Sequence, residues 1–474
     1  MTSRRSTNVV VPMIVACANF MSNLDSTVIA TALPAIGQSL GEDPLRLNLA
    51  ITSYLLSLAI FIPLSGWTAD RFGARTVFRF AIFGFIAGSI GCGFANSLTE
   101  LVIARVVQGM GGAMMMPVGR LVLLRSVPKS ELVSAMAYLT IPALIGPVIG
   151  PPLGGLLVTY FSWHWIFFIN VPIGFLGIVL VTLFIPEVRE PHPGRLDFPG
   201  FVLAALGLAG LVFGFETVGR GAVPNWVTVA LLAAGTLAVL AYLAHARRIE
   251  SPIIDLGLFG LPTYRAAVVG GFLFRVGIGG LPFLLPMLLQ VGFGLSALSS
   301  GLITFASAAG ALTMKFTAGP IIRALGFRRV LIWNVGLSSL FLFAYGFFEP
   351  STSHVVIFLA LLAGGFFRSL QFTATATLTF ADVPPGRMSR ATSLSSMMQQ
   401  LSLSLGVAIG ALILHLSVVY RYGGVLSAQD FLPAFIGVGL ISLTSIFLFL
   451  PLAPDAGAEV SGHATRNRRA QTAD

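Results

Sequence analysis

A chain of 474 residues that is 56% hydrophobic and only 10% charged, with mean hydropathy +0.90, falls far short of the roughly 25% charge of soluble globular proteins. That excludes a string of water-soluble domains and predicts a surface that meets lipid. The net charge of +10 does not signal a nucleic-acid partner, because the basic residues are scattered over many short loops instead of one face.

A membrane helix needs about 20 mostly apolar residues. In chain order such runs occupy 9–34, 47–69, 77–96, 101–124, 132–160 and 163–185, then 198–218 and 227–245. Six more follow at 266–290, 298–322, 330–348, 354–380, 391–420 and 431–452. The pattern predicts an all-α integral membrane protein with fourteen transmembrane helices, arranged as two pseudo-symmetric six-helix bundles plus two inserted helices. The expected organisation is an N-terminal bundle over 1–187, a cytoplasmic linker with the inserted pair over 188–250, and a C-terminal bundle over 251–454. Residues 455–474 read as a disordered cytoplasmic tail. Arg4 and Arg5 lead into an apolar run too long for a signal h-region, so 9–34 reads as a first span. Cys17 and Cys92 sit in apolar runs without metal-ligand or disulfide spacing and read as packing residues.

The loops give orientation. With the N-terminus in the cytoplasm, 21 of the 28 basic residues fall in inside segments or their flanks, three (Arg46, Arg220, Arg421) outside, and four (Arg105, Arg275, Lys315, Arg368) deep in spans. That asymmetry predicts that both termini face the cytoplasm, and the membrane is expected to be a bacterial inner membrane.

The loop after the second span reads Gly66-x-x-x-Asp70-Arg71-x-Gly73-x-Arg75, and the loop after the eighth core span reads Gly319-x-x-x-Arg323-x-x-Gly326-x-Arg328. Shared glycines and a terminal arginine at equivalent places indicate an internal repeat, a plan used by transporters with a site near the midplane of the repeat interface.

The first of these loops resembles the signature loop of the major facilitator superfamily. Four further segments resemble its fourteen-span drug:proton antiporter branch, the multidrug efflux type. They are Asp25-Ser-Thr27 through Pro34; Arg105-Val-Val-Gln108-Gly109-Met-Gly111-Gly112; Gly146-Pro147-Val-Ile-Gly150-Pro151-Pro-Leu-Gly154-Gly155; and Trp163-His-Trp165 through Asn170-Val-Pro172. The resemblance implies a monomeric secondary transporter that exports small amphipathic or drug-like molecules in exchange for protons by alternating access. No enzymatic activity, metal or bound cofactor is implied, and its partners are the small-molecule substrate, protons and the lipid bilayer. Export of a dedicated metabolite, such as a siderophore, lipid or amino-acid derivative, is the alternative on the same fold, and a membrane enzyme the remote one.

Ionisable groups inside spans are costly and count as functional candidates. Asp25 is the only acid well inside a span of the first six, and Arg105 can tune it without titrating, so the two are the expected proton-coupling pair. Gly66, Asp70, Arg71, Gly73 and Arg75 form the expected conformational latch, with Glu131 a candidate partner for the arginines. Gly146, Pro147, Gly150, Gly154 and Gly155 are the antiporter-type helix motif, where small residues and kinks allow close helix approach. Candidate substrate-cavity residues are Gln108, Met110, Met114, Phe274, Arg275, Arg368 and Gln371, where thioethers and aromatics suit varied apolar ligands. Glu216 and Lys315 read as snorkelling groups near span ends. Only two lysines occur, Lys129 and Lys315, and neither follows a glycine, which excludes a phosphate-binding loop and an ATP-driven pump.

Overall fold

The computed structural model describes residues 2–126, 132–187, 196–218, 224–249, 252–384, 387–421 and 426–461. Those residues are helical throughout, without strands. The helices are α1 (Thr2–Leu40), α2 (Asn48–Phe61), α3 (Leu64–Phe72), α4 (Ala74–Gly93), α5 (Leu98–Ser126), α6 (Leu132–Tyr160), α7 (Trp165–Phe168), α8 (Asn170–Phe184), α9 (Phe198–Thr217) and α10 (Asn225–Ala246). They continue with α11 (Pro262–Arg265), α12 (Gly271–Gly279), α13 (Leu281–Met287), α14 (Ala297–Leu325), α15 (Phe327–Gly346), α16 (His354–Thr379), α17 (Met388–Tyr420), α18 (Phe431–Thr444), α19 (Ile446–Phe449) and α20 (Ala458–Ser461).

Among the described residues twelve helical stretches are long and apolar enough to cross a membrane, or thirteen if α2 and α3 count as one broken span. The fourteen spans expected from the sequence are not reached by this measure. The expected single run 47–69 bends by 57° between α2 and α3. Pro63 stands at that break, where it has no N–H to continue the helical ladder. The apolar part of α6 that qualifies is Ile145–Tyr160, shorter than the others. Between α11 and α12, and again after α13, the backbone widens into π-helical turns at Ala266–Gly270 and Leu288–Gly292.

The chain forms two compact units. The first comprises residues 1–253 with 294–302. In it α1 packs along α6, α4 against α5 and α8, and α2 against α5. Glycine makes these contacts close. A Cβ at Gly88 of α4 would lie 2.4 Å from the Gln108 backbone nitrogen, and one at Gly109 of α5 would lie 2.6 Å from Ser57 Cβ of α2. The inserted helices α9 and α10 pack on each other through Gly210 and Gly235, with the rest of their surface largely open to lipid. The second unit comprises residues 254–293 and 303–474. There α12 packs on α17 and α18, and α15 on α16 and α18.

The expected tail differs at its start. Residues 455–461 form turns and the short helix α20, and Gly457 (φ +68°) lies against Phe327 and Leu378. Residues 462–474 lie outside the described residues.

Candidate functional site

Among the described residues, a fully buried side chain of the largest class is an arginine. Arg105 of α5 is 0% exposed and Asp25 of α1 is 3% exposed. Arg105 Nη1 donates to Asp25 Oδ2 at 2.6 Å and to Gln108 Oε1 at 2.6 Å, while Nε donates to the Ala50 carbonyl of α2 at 2.9 Å. The guanidinium lies over the Tyr54 ring, 4.1 Å from its centroid, and Tyr54 hydroxyl meets Ser22 Oγ at 3.0 Å.

The carboxylate is held as closely. Asp25 Oδ1 accepts from Gln108 Nε2 at 2.8 Å and from Asn170 Nδ2 at 3.0 Å. Both amides also donate to Ser89 Oγ of α4, which donates in turn to the Phe167 carbonyl. Five helices and the short α7 thus converge on one charge pair. The close α4–α5 approach at Gly88 is what brings Ser89 beside Gln108. A charge pair this dry gains its stability only where further hydrogen bonds satisfy both partners, and here nearly all of them are present. Two polar atoms stay without a protein partner, Arg105 Nη2 and Asn170 Oδ1. Rotating the Asn170 amide would present that oxygen to a protonated Asp25, so one side chain offers a donor to the carboxylate and an acceptor to the acid.

The two signature-like loops share a detailed geometry. Gly73 separates α3 from α4 at φ +93°, and Gly326 separates α14 from α15 at φ +75°, both in a region that L side chains rarely adopt. Arg75 donates to the Thr182 carbonyl of α8, and Arg328 donates to the Leu450 carbonyl at 3.0 Å. In each unit the loop arginine therefore ties the start of its helix to a backbone oxygen of a later segment, near the end of α8 in the first and just after α19 in the second. Asp70 is half-buried in the last turn of α3 and Arg71 is exposed. Gly66 faces open space. Glu131, the expected partner of the arginines, lies outside the described residues.

The glycine-proline motif of α6 forms a packing face. Hypothetical Cβ atoms at Gly146, Gly150 and Gly154 would meet α1 at the Phe20 carbonyl, Thr27 Oγ1 and Thr31 Oγ1, at 3.1, 2.0 and 2.4 Å. Gly155 and Pro151 meet the first turn of α14 at Ala297 and Gly301, and Pro147 is half-buried on the same helix. Thr27 and Thr31 turn their hydroxyls back onto α1 carbonyls, leaving room for the approach.

The other cavity candidates scatter. Gln108 belongs to the charged cluster and is fully buried. Met110 is exposed, and Met114 is half-buried with its sulfur accepting from Thr68 Oγ1 at 3.6 Å. In the second unit Phe274 is buried edge-on to Phe372, and Gln371 is buried with its Oε1 accepting from Asn334. Arg275 is 5% exposed and lies over the Phe372 ring at 5.6 Å. Arg368 Nη2 donates to Ser307 Oγ at 2.9 Å.

One expectation for a charged group changes. Glu216 is 4% exposed and does not snorkel: both its oxygens accept from Asn48 Nδ2 of α2 at 2.7 Å, clasping α9 to the first unit. Lys315 is exposed on α14 and donates to Thr373 Oγ1 at 2.9 Å. The sequence also leaves Ser89 and Tyr54 unremarked, since single polar residues in apolar runs carry no spacing signal. Asn170 stood inside a recognised segment but pointed to no role.

Comparisons with known proteins agree with this architecture. The family model described as Major Facilitator Superfamily matches residues 15–270 and 267–472. A protein from Salmonella heidelberg (strain SL476) named "Putative multidrug resistance protein MdtD" is 40% identical over 409 residues, covering 85% of each chain. The Salmonella typhimurium protein of the same name is 40% identical over 410 residues, again covering 85% of each chain. Among solved structures, a D-xylose-proton symporter superposes with TM-score 0.70 at 15% identity, covering 94% of this chain and 98% of that one. A peptide transporter in complex with sulfate superposes with TM-score 0.69 at 13% identity, covering 95% of each. At those identities the structural matches show the fold alone.

Proposed function

Because this chain belongs to the major facilitator superfamily, and is therefore a multi-pass membrane transporter and not an enzyme, we propose that it exports small amphipathic molecules in exchange for protons. Its similarity to proteins named for multidrug resistance supports the efflux direction and a broad, drug-like cargo. In this reading it works as a monomer in a bacterial inner membrane with both termini cytoplasmic, supported by the loop charge asymmetry and the bacterial relatives. On this reading the α2–α3 pair and α6 each cross the membrane once, beside the twelve longer apolar stretches. The gradient of protons is the driving force and no bound cofactor takes part.

The observation that carries the coupling is the Asp25–Arg105 pair with its shell of amides. Exchange needs one group that holds a proton in one state and releases it in another. Protonating Asp25 frees Arg105, whose remaining bonds to Ala50 and Gln108 hold it in place, and Asn170 can turn its oxygen to receive the new O–H. Helices α1, α2 and α5 meet at that atom pair, so a change in its charge alters the packing of three spans together. The Gly73 and Gly326 loops supply fixed hinges at the ends of α4 and α15 on this account.

Asp25→Asn is expected to insert and fold, to bind cargo, and to lose export driven by a pH gradient in everted vesicles. Substrate-induced proton release from purified protein is the direct readout. If Asp25→Asn releases protons as the unaltered protein does, Asp25 is not the coupling group.

A further inference from the structure

The two units treat positive charge within their helices differently. In the first, the buried guanidinium of Arg105 has a carboxylate at 2.6 Å. In the second, Arg275 is buried, Arg368 half-buried and Lys315 exposed, and none of the three has a carboxylate partner among the described residues. The sequence explains why: between Gly271 and Tyr420 the only acids are Glu349, in the loop after α15, and Asp382, beyond the end of α16, where it accepts from Thr263.

These three cations converge on one short stretch of α16. Arg368 is on it, Arg275 lies over Phe372, and Lys315 donates to Thr373. Positions 368 to 373 span about 7.5 Å of helix axis. Arg368 and Phe372 share a face, being four residues apart. The groups that receive the cations are a ring face and two hydroxyls, Ser307 and Thr373, all uncharged. Arg275 is almost wholly buried, and its span opens with the π-helical turn Ala266–Gly270, a deformation frequent at functional sites. Cations within membrane spans face protein interiors or cavities and pair with opposite charge. Here the described residues supply none, which leaves the counter-charge to a ligand.

We infer that the second unit carries an anion-accepting site formed by Arg275, Arg368 and Lys315 around Phe372. The cargo is accordingly an amphipath bearing a carboxylate, sulfonate or phosphate on an apolar, ring-containing body. Guanidinium groups suit such oxyanions through paired N–H donors, and the Phe372 ring offers a stacking face beside them. This names the cargo class for the exporter reading above and rests on it only for the statement that the bound molecule is moved.

Two xanthene dyes of similar shape and opposite charge provide the test, fluorescein as the anion and rhodamine 123 as the cation. Binding to the full-length purified protein in neutral-lipid nanodiscs is followed by fluorescence anisotropy. The unaltered protein is expected to bind fluorescein at least tenfold more tightly than rhodamine 123. Arg275→Gln with Arg368→Gln should weaken fluorescein at least tenfold and leave rhodamine 123 unweakened, while Arg275→Lys should retain part of the affinity. Adding phosphatidylglycerol to the discs separates the two sources of anion. Loss of fluorescein binding there, in the unaltered protein only, makes a lipid headgroup the occupant; unchanged binding assigns the site to free cargo. Preference for rhodamine 123, absence of binding by either dye, or fluorescein binding indifferent to the arginine substitutions would each overturn the inference. Dye movement in everted vesicles reads the exporter proposal separately, because an anion site that binds without transport leaves the anisotropy result intact.

Discussion

Breaking one side of the Asp25–Arg105 pair should cost more than removing both sides. Asp25→Leu strands a guanidinium that is fully enclosed. At 2.6 Å and an effective dielectric near 20, the two charges attract by about 6 kcal/mol before any desolvation is subtracted. Desolvation offsets much of that gross figure, and stranding one partner of a buried pair costs about 3–5 kcal/mol. The Ala50 carbonyl, Gln108 Oε1 and the Tyr54 ring still receive Arg105, which favours the lower end, about 3 kcal/mol. Asp25→Leu combined with Arg105→Met removes both charges and replaces them with apolar groups of related length, a change that is often near neutral. The double variant should therefore be more stable than Asp25→Leu alone, with an interaction energy of about 1–3 kcal/mol. Titrating unaltered, single and double variants with denaturing detergent in mixed micelles, followed by tryptophan fluorescence, yields the cycle. Additivity within about 0.5 kcal/mol would refute the claim that the two charges stabilise each other.

Gly73→Ala and Gly326→Ala force a side chain into a backbone region near φ +93° and +75°, and each should cost about 1–3 kcal/mol in the same titration. Gly66→Ala, at a position with open space around its Cβ, should fall near zero and serve as the control. Asp197, just before α9, provides a pH readout. Burial would raise its carboxyl, but hydrogen bonds with His245 and from the Gly200 and Ile253 amides outweigh it and hold the group below its usual range. A depressed carboxylate stabilises the fold above its unfolded value and loses that contribution as pH falls through the folded one. Stability of the inserted pair should thus decline below about pH 4 in the unaltered protein and lose that component of the decline in Asp197→Asn, measured as thermal unfolding against pH.

Much of this was legible in the sequence because the membrane imposes simple rules. Apolar runs mark helices, loop arginines mark one side, and the glycines of 146–155 foretell the close face that α6 turns to α1. Gly73 and Gly326 are readable because a repeated glycine before an arginine reflects one backbone requirement met twice. The bend between α2 and α3 was not, since Pro63 in an apolar run signals a weak point without fixing whether neighbouring packing keeps the span straight. Nor was the shell around Asp25. Ser89, Tyr54 and Asn170 come from three different helices, and only tertiary packing places them within bonding distance. Glu216 shows the same limit: hydropathy places it near a span end, but its fate depends on Asn48 of a helix 168 residues away.

The separation of charge between the units bears on energetics. On the proposed exchange, a cationic cargo leaving for one proton entering moves no net charge, and only the pH gradient drives it. A monoanion leaving for one proton entering moves two positive charges inward. Each charge gains about 2.3 kcal/mol per 100 mV of inside-negative potential, so such a cycle draws about 4.6 kcal/mol from the potential in addition to the pH term. The first unit, with its charge internally neutralised at Asp25 and Arg105, suits a proton site whose two states differ by one charge. The second unit's surplus of cations suits cargo whose negative charge offsets part of it during binding and is released into water afterwards.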